Sequence, residues 1–376
     1  MKYYLIAGEA SGDLHGSNLM KSLIEIDKNA EFRFWGGDLM AKYGGTPVKH
    51  ISELAFMGFV KVLMNIRTIV KNINLCKADI LEFTPDVVIL IDYAGFNLKI
   101  AEFAKAKNIP VHYYISPKIW AWKTNRVKKI KKFVDKMFTI LPFETDFYKN
   151  YDFEVEYVGN PVNDAIHAFK KDEITFEEFT AKNSLNKKPI VALLAGSRKQ
   201  EIRLMLPVMI KVSHFFPNYQ FVIGGAPGID NSFYNTHIGG HNIPVVYAQT
   251  YNLIKNSTAA LVTSGTATLE TALFNIPQIV CYHTNIGNLL YKIGRKYLIK
   301  VKWLSLVNLI LNYEAVKELT QSTFKEKYLV KELNSILNDK NYRDTMLNAY
   351  KKLHEIIGKP GASKKAAAGI YNSVVK

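Results

Sequence analysis

The stretch Ala259-Ala-Leu-Val-Thr-Ser-Gly-Thr-Ala-Thr-Leu-Glu270 passes from an apolar run through small polar residues into a helical pattern. The apolar run predicts a buried strand, and the small residues after it predict a tight turn. A buried strand that leads directly into a helix is the repeating unit of parallel sheets. This stretch therefore predicts an α/β fold, and the same pattern recurs on both sides of it.

Short apolar runs alternate with helical stretches along most of the 376 residues. In the first half, the predicted strands are Tyr3–Ala7, Glu31–Trp35, Val87–Ile91 and Val111–Ile115. In the second half, they are Ile190–Leu194, Phe221–Ile223, Val245–Tyr247, Ala259–Val262 and Gln278–Cys281. This alternation predicts two doubly wound parallel sheets in tandem, with a cleft between them.

The length predicts two domains, and a hydrophobic content of 48% is enough to give each of them a core. The charged, turn-rich segment Asp172–Lys188 predicts the linker. We expect a Rossmann-like N-terminal domain over 1–170 and a Rossmann-like C-terminal domain over 186–350. A C-terminal helix over 351–376 follows, for which a return to the first domain is one arrangement.

Two cysteines, the lack of a signal-peptide pattern and the lack of a long apolar run predict a soluble or peripheral cytoplasmic protein. The 49 basic and 33 acidic residues give a net charge of +16, which favours an anionic partner. Nucleic acid, lipid headgroups and phosphorylated small molecules all satisfy that condition, and charge alone does not choose among them.

Polar loops follow two predicted strands of the second half, where parallel sheets bind ligands. Ser264, Gly265 and Thr266 open a helix whose free N–H groups and hydroxyls suit a diphosphate. Glu270, one turn later, is placed to accept hydrogen bonds from a ribose, although an ordinary capped helix with a structural acid explains the same residues.

The loop after Ile190–Leu194 contains Ser197 and Arg198, and an arginine offers phosphate a planar, permanently charged fork. Gly-x-x-x-x-Gly-Lys and Gly-x-Gly-x-x-Gly patterns are absent from the sequence, which counts against ATP hydrolysis and a dinucleotide cofactor.

Two polar loops follow strands of the first half as well. Gly8–Asp13 contains the carboxylate of Glu9, and Asp92 comes immediately after Val87–Ile91. Asp92 is a candidate general base towards a hydroxyl group. It is equally a candidate cap for the helix that begins near Phe96, because Asp is favoured in that position.

Several segments combine large apolar residues with bases. Trp120 and Trp122 form either a rigid wall for a sugar ring or acyl chain, or ordinary core packing. The segment Leu54–Met64, which includes Met57 and Phe59, is unusually apolar, 123–132 is a basic helix with few acids, and 289–303 combines basic, aromatic and aliphatic residues. A solvated face explains 123–132 and buried helices explain the other two segments, whereas docking on an acidic bilayer surface, or capture of a substrate with acyl chains, explains them as a set.

Together these motifs resemble the lipid-A-disaccharide synthase family, inverting glycosyltransferases of bacterial outer-membrane biosynthesis. The resemblance covers nearly the whole chain, and each motif alone is weak. The motifs are Gly8–Asp13, Gly36-Gly37 with Met40, Met57-Gly58, Asp92 with Phe96-Asn97, Ser116–Trp122, Pro142-Phe143-Glu144, Tyr157–Pro161, Gly196–Arg198, Ser264–Glu270, Ser305–Leu309, Glu314 and Pro360–Ser363.

The resemblance implies a GT-B fold and the joining of UDP-2,3-diacylglucosamine to 2,3-diacylglucosamine 1-phosphate, with release of UDP and formation of a β-1′,6 link. It implies no metal and no cofactor, and it fits the absence of an Asp-x-Asp triplet. The expected location is the inner face of the inner membrane of a Gram-negative bacterium, peripherally bound to an anionic membrane surface. The sequence leaves the oligomeric state open.

Carried over by position, Asp92 resembles the general base for the acceptor 6-hydroxyl, with Glu9 in the neighbouring loop. The residues that fall on the acceptor and lipid side are Ser11, Trp120, Trp122, Met57 and Phe59. Those that resemble the UDP site are Arg198, Ser197, Ser264, Gly265, Thr266 and Glu270, with Asn308 and Glu314 completing the cleft.

The chain departs from the family pattern at three positions. Ala195 stands where a Pro is usual, Asn160 where a His is usual, and Tyr313 where an Arg is usual, which removes a positive charge beside Glu314. The alternatives are another UDP-sugar enzyme on the same fold, such as a UDP-N-acetylglucosamine 2-epimerase or another lipid-linked glycosyltransferase, and a basic nucleic-acid-binding protein. The last gives no reason for Arg198 or for Ser264–Glu270, so we expect no nucleic-acid partner.

Overall fold

The computed structural model describes residues 1–54, 66–285, 287–288, 291, 294 and 300–375. They form two compact units, the first comprising Met1–Asp164 and Lys359–Lys376 and the second comprising Ala165–Gly358. Each unit contains one β-sheet with parallel strand pairs, so the expected α/β class is confirmed.

The strands of the first unit are β1 (Lys2–Ala7), β2 (Glu31–Gly36), β3 (Thr46–His50), β4 (Val87–Ile91), β5 (Val111–Tyr114), β6 (Lys136–Thr139) and β7 (Glu156–Tyr157). Their order in the sheet is β3-β2-β1-β4-β5-β6-β7. The strands of the second unit are β8 (Ile190–Leu194), β9 (Gln220–Gly225), β10 (Val245–Tyr247), β11 (Ser257–Thr263), β12 (Gln278–Tyr282) and β13 (Lys317–Thr320). Their order is β10-β9-β8-β11-β12-β13.

The helices are α1 (Ala10–Ile26), α2 (Asp38–Ala41), α3 (Ile66–Phe83), α4 (Ala94–Ala106), α5 (Val127–Phe133), α6 (Phe143–Lys149), α7 (Pro161–Phe169), α8 (Phe176–Lys182), α9 (Lys199–Val212), α10 (Asn231–Ile238), α11 (Thr250–Lys255), α12 (Thr266–Leu273), α13 (Leu306–Leu311), α14 (Glu326–Asn338), α15 (Lys340–Ile357) and α16 (Ala362–Val375).

The first sheet is covered by helices on both faces, which explains why β1 and β4 are apolar without alternation. Successive side chains of a strand point to opposite faces, and Val88 packs with Ile80 of α3 and Ile100 of α4. On the other face, Ile89 packs with residues of α1 and α16. The C-terminal helix α16 thus belongs to the first unit.

The end of the chain contains two helices where the sequence predicted one over 351–376. Helix α15 ends at Ile357, and α16 begins at Ala362 after two glycines in the left-handed region, Gly358 and Gly361. The carboxylate of Asp164 accepts the backbone N–H groups of Gly361, Ala362 and Ser363 at 2.6, 3.2 and 3.2 Å. This contact explains the Pro360–Ser363 motif, because it anchors the start of α16.

The segment Asp172–Lys188 is not the linker that the sequence predicted. It contains α8, which begins with a capping box formed by Thr175 and Glu178. Phe179 of α8 is fully buried against β8 and β11 in the core of the second unit. In the sequence, this segment resembles a linker because its surface is charged and Phe179 is its one buried aromatic residue.

Both sheets reverse their direction of winding between two neighbouring strands, β1 and β4 in the first and β8 and β11 in the second. Open α/β sheets bind ligands beyond the carboxyl ends of the strands at such a switch point. The paired residues at these ends are Ala7 with Ile91 and Leu194 with Val262. The loops that follow them are the four that the sequence singled out.

Candidate active site

The turn after β4 has an unusual backbone. Asp92 and Tyr93 both lie in the left-handed region, with φ of 44° and 46°. For residues other than glycine, this conformation costs on the order of 1–3 kcal/mol each and persists only where the surroundings enforce it. The Asn97 amide donates to the Ile91 and Asp92 carbonyls at 3.3 and 2.8 Å, and the Tyr113 hydroxyl donates to the Asp92 carbonyl.

The loop after β1 packs directly on this turn. A Cβ atom on Gly8 would lie 2.3 Å from Cγ of Tyr93, so only glycine leaves room for the ring. The Tyr93 ring in turn stacks on Phe96, with ring centroids 5.5 Å apart. Gly8 therefore couples the Gly8–Asp13 motif to Asp92.

The alternative in which Asp92 caps a helix does not hold. Helix α4 begins at Ala94, its N-cap residue is Tyr93, and no side-chain capping bond is present there.

Burial raises the pKa of Asp92 above that of an ordinary aspartate, and the nearby Glu9 raises it further, whereas the Lys118 ammonium lowers it. Glu9 occupies the N-cap position of α1, and Ser11 is exposed on the first turn. We call Glu9, Asp92 and Tyr93 the first-unit site. Its chemistry is that of a partly desolvated carboxyl group that accepts a proton more readily than a solvated one.

Asp13, also in the Gly8–Asp13 motif, has a structural role. Its buried carboxylate accepts the backbone N–H groups of Gly37, Leu39 and Met40 at 2.7, 3.1 and 3.1 Å. It therefore holds the start of α2, and it explains why Gly36-Gly37 and Met40 accompany the first motif.

The two tryptophans differ in exposure. Trp122 is 49% exposed and carries the Lys123 ammonium 4.4 Å from its ring centroid. Trp120 is only 7% exposed, and its Nε1 donates to Glu144 at 3.1 Å. The prediction that Trp120 forms a wall for a sugar ring or acyl chain is therefore wrong. Trp120 is a core residue, and its indole N–H has an acceptor. Met57 and Phe59 lie outside the described residues.

The turn after β11 is accessible to solvent, whereas the turn after β4 is enclosed by neighbouring side chains. Gly265 and Thr266 are exposed, and a Cβ on Gly265 would come no nearer to another group than 4.0 Å, to the Thr263 carbonyl. The Ser264 hydroxyl donates to the Leu304 carbonyl at 2.9 Å. Helix α12 begins at Thr266, and the first N–H groups of a helix have no intrahelical acceptor. This turn thus offers donors to an anion.

The neighbouring loop after β8 is organised by Glu201. Its carboxylate accepts the Ser197 and Arg198 backbone N–H groups at 3.0 and 3.3 Å. Gly196 has a φ of 112°, and a Cβ there would lie 2.6 Å from that of Glu201. The Arg198 guanidinium is 59% exposed and lies 3.5 Å from Glu201. Glu201 stands three residues after the N-cap, as in a capping box, but the N-cap is Arg198 and not the usual Ser or Thr, so the sequence gave no sign of this role.

Glu270 lies on α12 beside an aromatic cluster. Its carboxylate accepts the Tyr251 hydroxyl at 3.0 Å, and Tyr251 packs on Phe274 with ring centroids 5.3 Å apart. Burial raises the pKa of Glu270, and the bond from Tyr251 opposes that rise. We call Ser197, Arg198, Ser264, Gly265, Thr266 and Glu270 the second-unit site. No sequence pattern pointed to Tyr251.

Asn308, predicted to complete the donor site, is fully buried and engaged within its own loop. Its Nδ2 donates to the Val316 carbonyl at 2.8 Å and to Glu318 at 3.0 Å. Its Oδ1 accepts the backbone N–H groups of Ala315 and Val316 at 2.8 and 3.0 Å. Asn308 therefore supports the loop, and the prediction of direct ligand contact does not fit its placement.

Glu318, which the sequence did not single out, supports the Ser264 turn indirectly, through hydrogen bonds to Leu304 and Ser305. Its Oε2 accepts the Leu304 backbone N–H at 2.9 Å. Its Oε1 accepts the Ser305 backbone N–H at 2.9 Å and the Ser305 hydroxyl at 2.8 Å. Leu304 is the residue whose carbonyl accepts the Ser264 hydroxyl. The sequence gave no sign of this role, because Glu318 lies in β13, a strand that was not predicted.

The departures from the family pattern have local explanations. Lys317 lies 3.2 Å from Glu314 and supplies a positive charge near the position where Tyr313 replaces an arginine. Asn160 is buried, donates to the Ile140 carbonyl and accepts the Val162 N–H, each at 3.0 Å. Ala195 is buried immediately after β8.

Within the described residues, no three histidine, cysteine or acidic side chains are grouped as metal ligands. In the same part of the chain, no helix is long and apolar enough to span a bilayer.

Solved structures share this architecture. The UDP-N-acetylglucosamine 2-epimerase of Neisseria meningitidis bound to UDP-GlcNAc has a TM-score of 0.66 at 14% identity, and the match covers 100% of both chains. The glycosyltransferase of kitacinnamycin has a TM-score of 0.63 at 10% identity, over 99% of both chains. These likenesses show the fold, which is of the GT-B type shared by glycosyltransferases and epimerases.

Sequence comparison narrows this class to one family. The family model described as lipid-A-disaccharide synthetase matches residues 3–368. The lipid-A-disaccharide synthase of Syntrophus aciditrophicus is 35% identical, over 96% of this chain and 95% of that protein. The synthase of Myxococcus xanthus is 34% identical, over 97% and 96%. The chain belongs to the lipid-A-disaccharide synthase family and is a glycosyltransferase.

Proposed function

We propose that this chain transfers a 2,3-diacylglucosamine unit from UDP to the 6-hydroxyl of 2,3-diacylglucosamine 1-phosphate. The products are UDP and the β-1′,6-linked disaccharide 1-phosphate. The observation that carries this proposal is the carboxyl group of Asp92, held in a strained turn at a switch point, in a chain that matches the family model over residues 3–368.

The proposed chemistry is a single displacement, in which Asp92 takes the proton of the acceptor 6-hydroxyl. That oxygen forms a bond to the anomeric carbon of the donor while the bond from this carbon to the diphosphate oxygen breaks. One displacement inverts the anomeric centre. The raised pKa of Asp92 supports this role, because a carboxylate with a higher pKa accepts a proton more effectively than an ordinary aspartate.

The second-unit site stabilises the charge that develops on the departing UDP. The N–H groups at the start of α12, the hydroxyls of Ser264 and Thr266 and the Arg198 guanidinium supply fixed donors and positive charge. Glu270 accepts hydrogen bonds from the ribose. Since these groups neutralise the diphosphate, the reaction requires no divalent metal.

The test is an assay of the purified chain with both diacyl sugars in detergent micelles and with EDTA present. We expect equimolar UDP and tetraacyl disaccharide, identified by mass spectrometry. A parallel incubation with UDP-N-acetylglucosamine alone tests for the 2-epimer. An inactive protein, turnover only with added metal, or formation of the epimer would each contradict the proposal.

We also propose that α3 docks the enzyme on an anionic bilayer, where both acylated substrates reside. Ile66, Val70 and Leu75 are exposed on this helix, and the exposed bases Arg67 and Lys71 lie among them. Together they line an open groove. Apolar side chains beside lysine and arginine are the pattern of helices that lie in an anionic membrane interface.

Flotation with vesicles tests this surface. We expect the chain to float with phosphatidylglycerol vesicles and less with phosphatidylcholine vesicles, and Val70→Asp to weaken flotation. Phe215→Asp is the matched control, because Phe215 is an exposed apolar residue of the second unit. Equal flotation of wild type and Val70→Asp would place the contact elsewhere.

A further inference from the structure

The carboxylate of Glu144 is buried although no base forms an ion pair with it among the described residues. It is 1% exposed at the start of α6, in the Pro142-Phe143-Glu144 motif. It accepts Trp120 Nε1 at 3.1 Å and the Leu141 backbone N–H at 3.0 Å. These two donors compensate for part of the desolvation of the buried carboxylate.

Two contacts with α6 fix both ends of one loop. Ser116, at the start of the segment 116–120, shares a hydrogen bond of 2.7 Å with the Tyr148 hydroxyl of α6. Trp120 lies at its end, where its indole N–H donates to Glu144 and its ring meets Phe143 edge-on with centroids 4.9 Å apart. The loop is therefore attached to α6 at two points, and Glu144 makes the attachment at Trp120.

The same loop touches Asp92 from the side of β5. Ile115, immediately before it, lies in the left-handed region with a φ of 66°, and its carbonyl accepts the Asp92 backbone N–H at 3.2 Å. Lys118, in the middle of the loop, is the positive group that lowers the pKa of Asp92. Both contacts depend on the position of a segment that Glu144 holds.

We propose that Glu144 is a positioning residue for the acceptor side of the transfer, acting through the loop 116–120 to hold the Ile115 carbonyl and the Lys118 ammonium at Asp92. This inference rests on the proposed function, in which Asp92 is the base. It gives the Pro142-Phe143-Glu144 motif a role in catalysis although Glu144 touches no substrate.

The pH dependence follows from the environment of Glu144. Burial raises its pKa to about 7, while the hydrogen bonds from Leu141 and Trp120 lower it. The hydroxyls of Tyr148 and Tyr157 also lie close enough to interact with it. Protonation weakens the carboxyl group as an acceptor, because Trp120 and Leu141 donate to different oxygens and one of these then carries the proton. The wild-type kcat/KM for the acceptor should therefore fall as the pH drops through about 7.

The experiment compares Glu144→Gln with wild type and with Glu154→Gln, which neutralises an exposed carboxylate of the same unit. We expect Glu144→Gln to lower kcat/KM for the acceptor about 10- to 100-fold, the scale of a misplaced catalytic group. The step near pH 7 that comes from Glu144 should disappear and leave only the fall that comes from protonation of Asp92, and the Kd for UDP should stay within about twofold. Glu154→Gln should match wild type throughout.

Equal kinetics of Glu144→Gln and Glu154→Gln would overturn the inference, as would an equal loss of kcat/KM for the acceptor and of UDP affinity in a Glu144→Gln variant whose circular dichroism matches that of wild type. If Glu144→Gln does not fold, Trp120→Phe carries the test, because it keeps an aromatic ring and removes one donor. We then expect about a fivefold loss with the acceptor and unchanged UDP binding. Inactive wild type would instead reject the proposed function.

Discussion

The turns after β4 and β11 occupy equivalent places in their sheets, yet they are built differently. The turn at Asp92 has two left-handed residues, a tyrosine ring packed on Gly8 and a carboxyl group with a raised pKa. The turn at Ser264 has small exposed residues with open space around Gly265. The turn after β4 encloses the side chain of Asp92, whereas the turn after β11 leaves its own backbone accessible.

The contrast follows from what each end has to do in the proposed reaction. A base needs partial desolvation and one fixed orientation, both of which require surrounding protein. A diphosphate carries its own charge and needs donors that it can approach, so bulky side chains would obstruct it. Substitutions that exchange these properties test the comparison.

The largest effect is expected for Asp92→Asn, which keeps the shape of the side chain and removes the base. Turnover should fall about 10²- to 10⁴-fold, the usual contribution of general base catalysis. Calorimetry should show an unchanged Kd for UDP, since the donor residues belong to the other unit. Turnover at the wild-type rate would reject the role of Asp92 and leave the second-unit site intact.

Arg198→Ala should act on the donor alone. Loss of an exposed guanidinium that contacts phosphate weakens UDP binding about tenfold. Arg203→Ala is the control, because Arg203 is an exposed arginine further along the same helix. Similar Kd values for the two variants would remove Arg198 from the proposed site.

The same change, glycine to alanine, should have opposite consequences at the two turns. Gly8→Ala forces the Tyr93 ring to move and should lower the free energy of unfolding by about 1–3 kcal/mol. Gly265→Ala has room, so stability should change by less than about 0.5 kcal/mol while UDP binds more weakly. Thermal denaturation and calorimetry on both variants decide the matter, and equal melting temperatures would contradict the contrast.

The smallest effect is expected for Tyr251→Phe. Without the hydroxyl, burial is unopposed and the already raised pKa of Glu270 rises further. Because the ionised carboxylate is the better acceptor for ribose, UDP binding should weaken as the pH falls and should do so at higher pH in the variant. Calorimetric titrations across a pH series measure the shift, and superimposable curves would show that Tyr251 does not tune Glu270.

The sequence predicted every interior strand of the two sheets except β6, and it missed three of the four edge strands. The buried apolar runs of β1, β4, β8 and β11 were readable because both faces are covered. The strands β3, β6, β7 and β13 were missed. Of these, β3, β7 and β13 lie at sheet edges, and β7 has only two residues, Glu156–Tyr157. Short, polar edge strands lack the apolar periodicity that such predictions use.

The candidate site was predicted to the extent that residue type implies function. Carboxylate, arginine and glycine residues directly after strands were found, because chemistry and position coincide there. Asn308 was misassigned, since a buried amide that binds backbone groups looks in sequence like one that binds a ligand. Glu144 and Glu318 had no assigned role, because their partners become neighbours only on folding.

Because α16 packs in the first unit, the core of that unit is completed only after the second unit has been synthesised. During translation, residues 165–358 leave the ribosome before the helix that completes the first core. At about 5–20 residues per second, that interval is on the order of 10–40 seconds. Throughout it, the part of the sheet face that Ile370 and its neighbours cover stays exposed, although α1 already packs on the same face, and a nascent chain with exposed apolar surface is a typical substrate of chaperones.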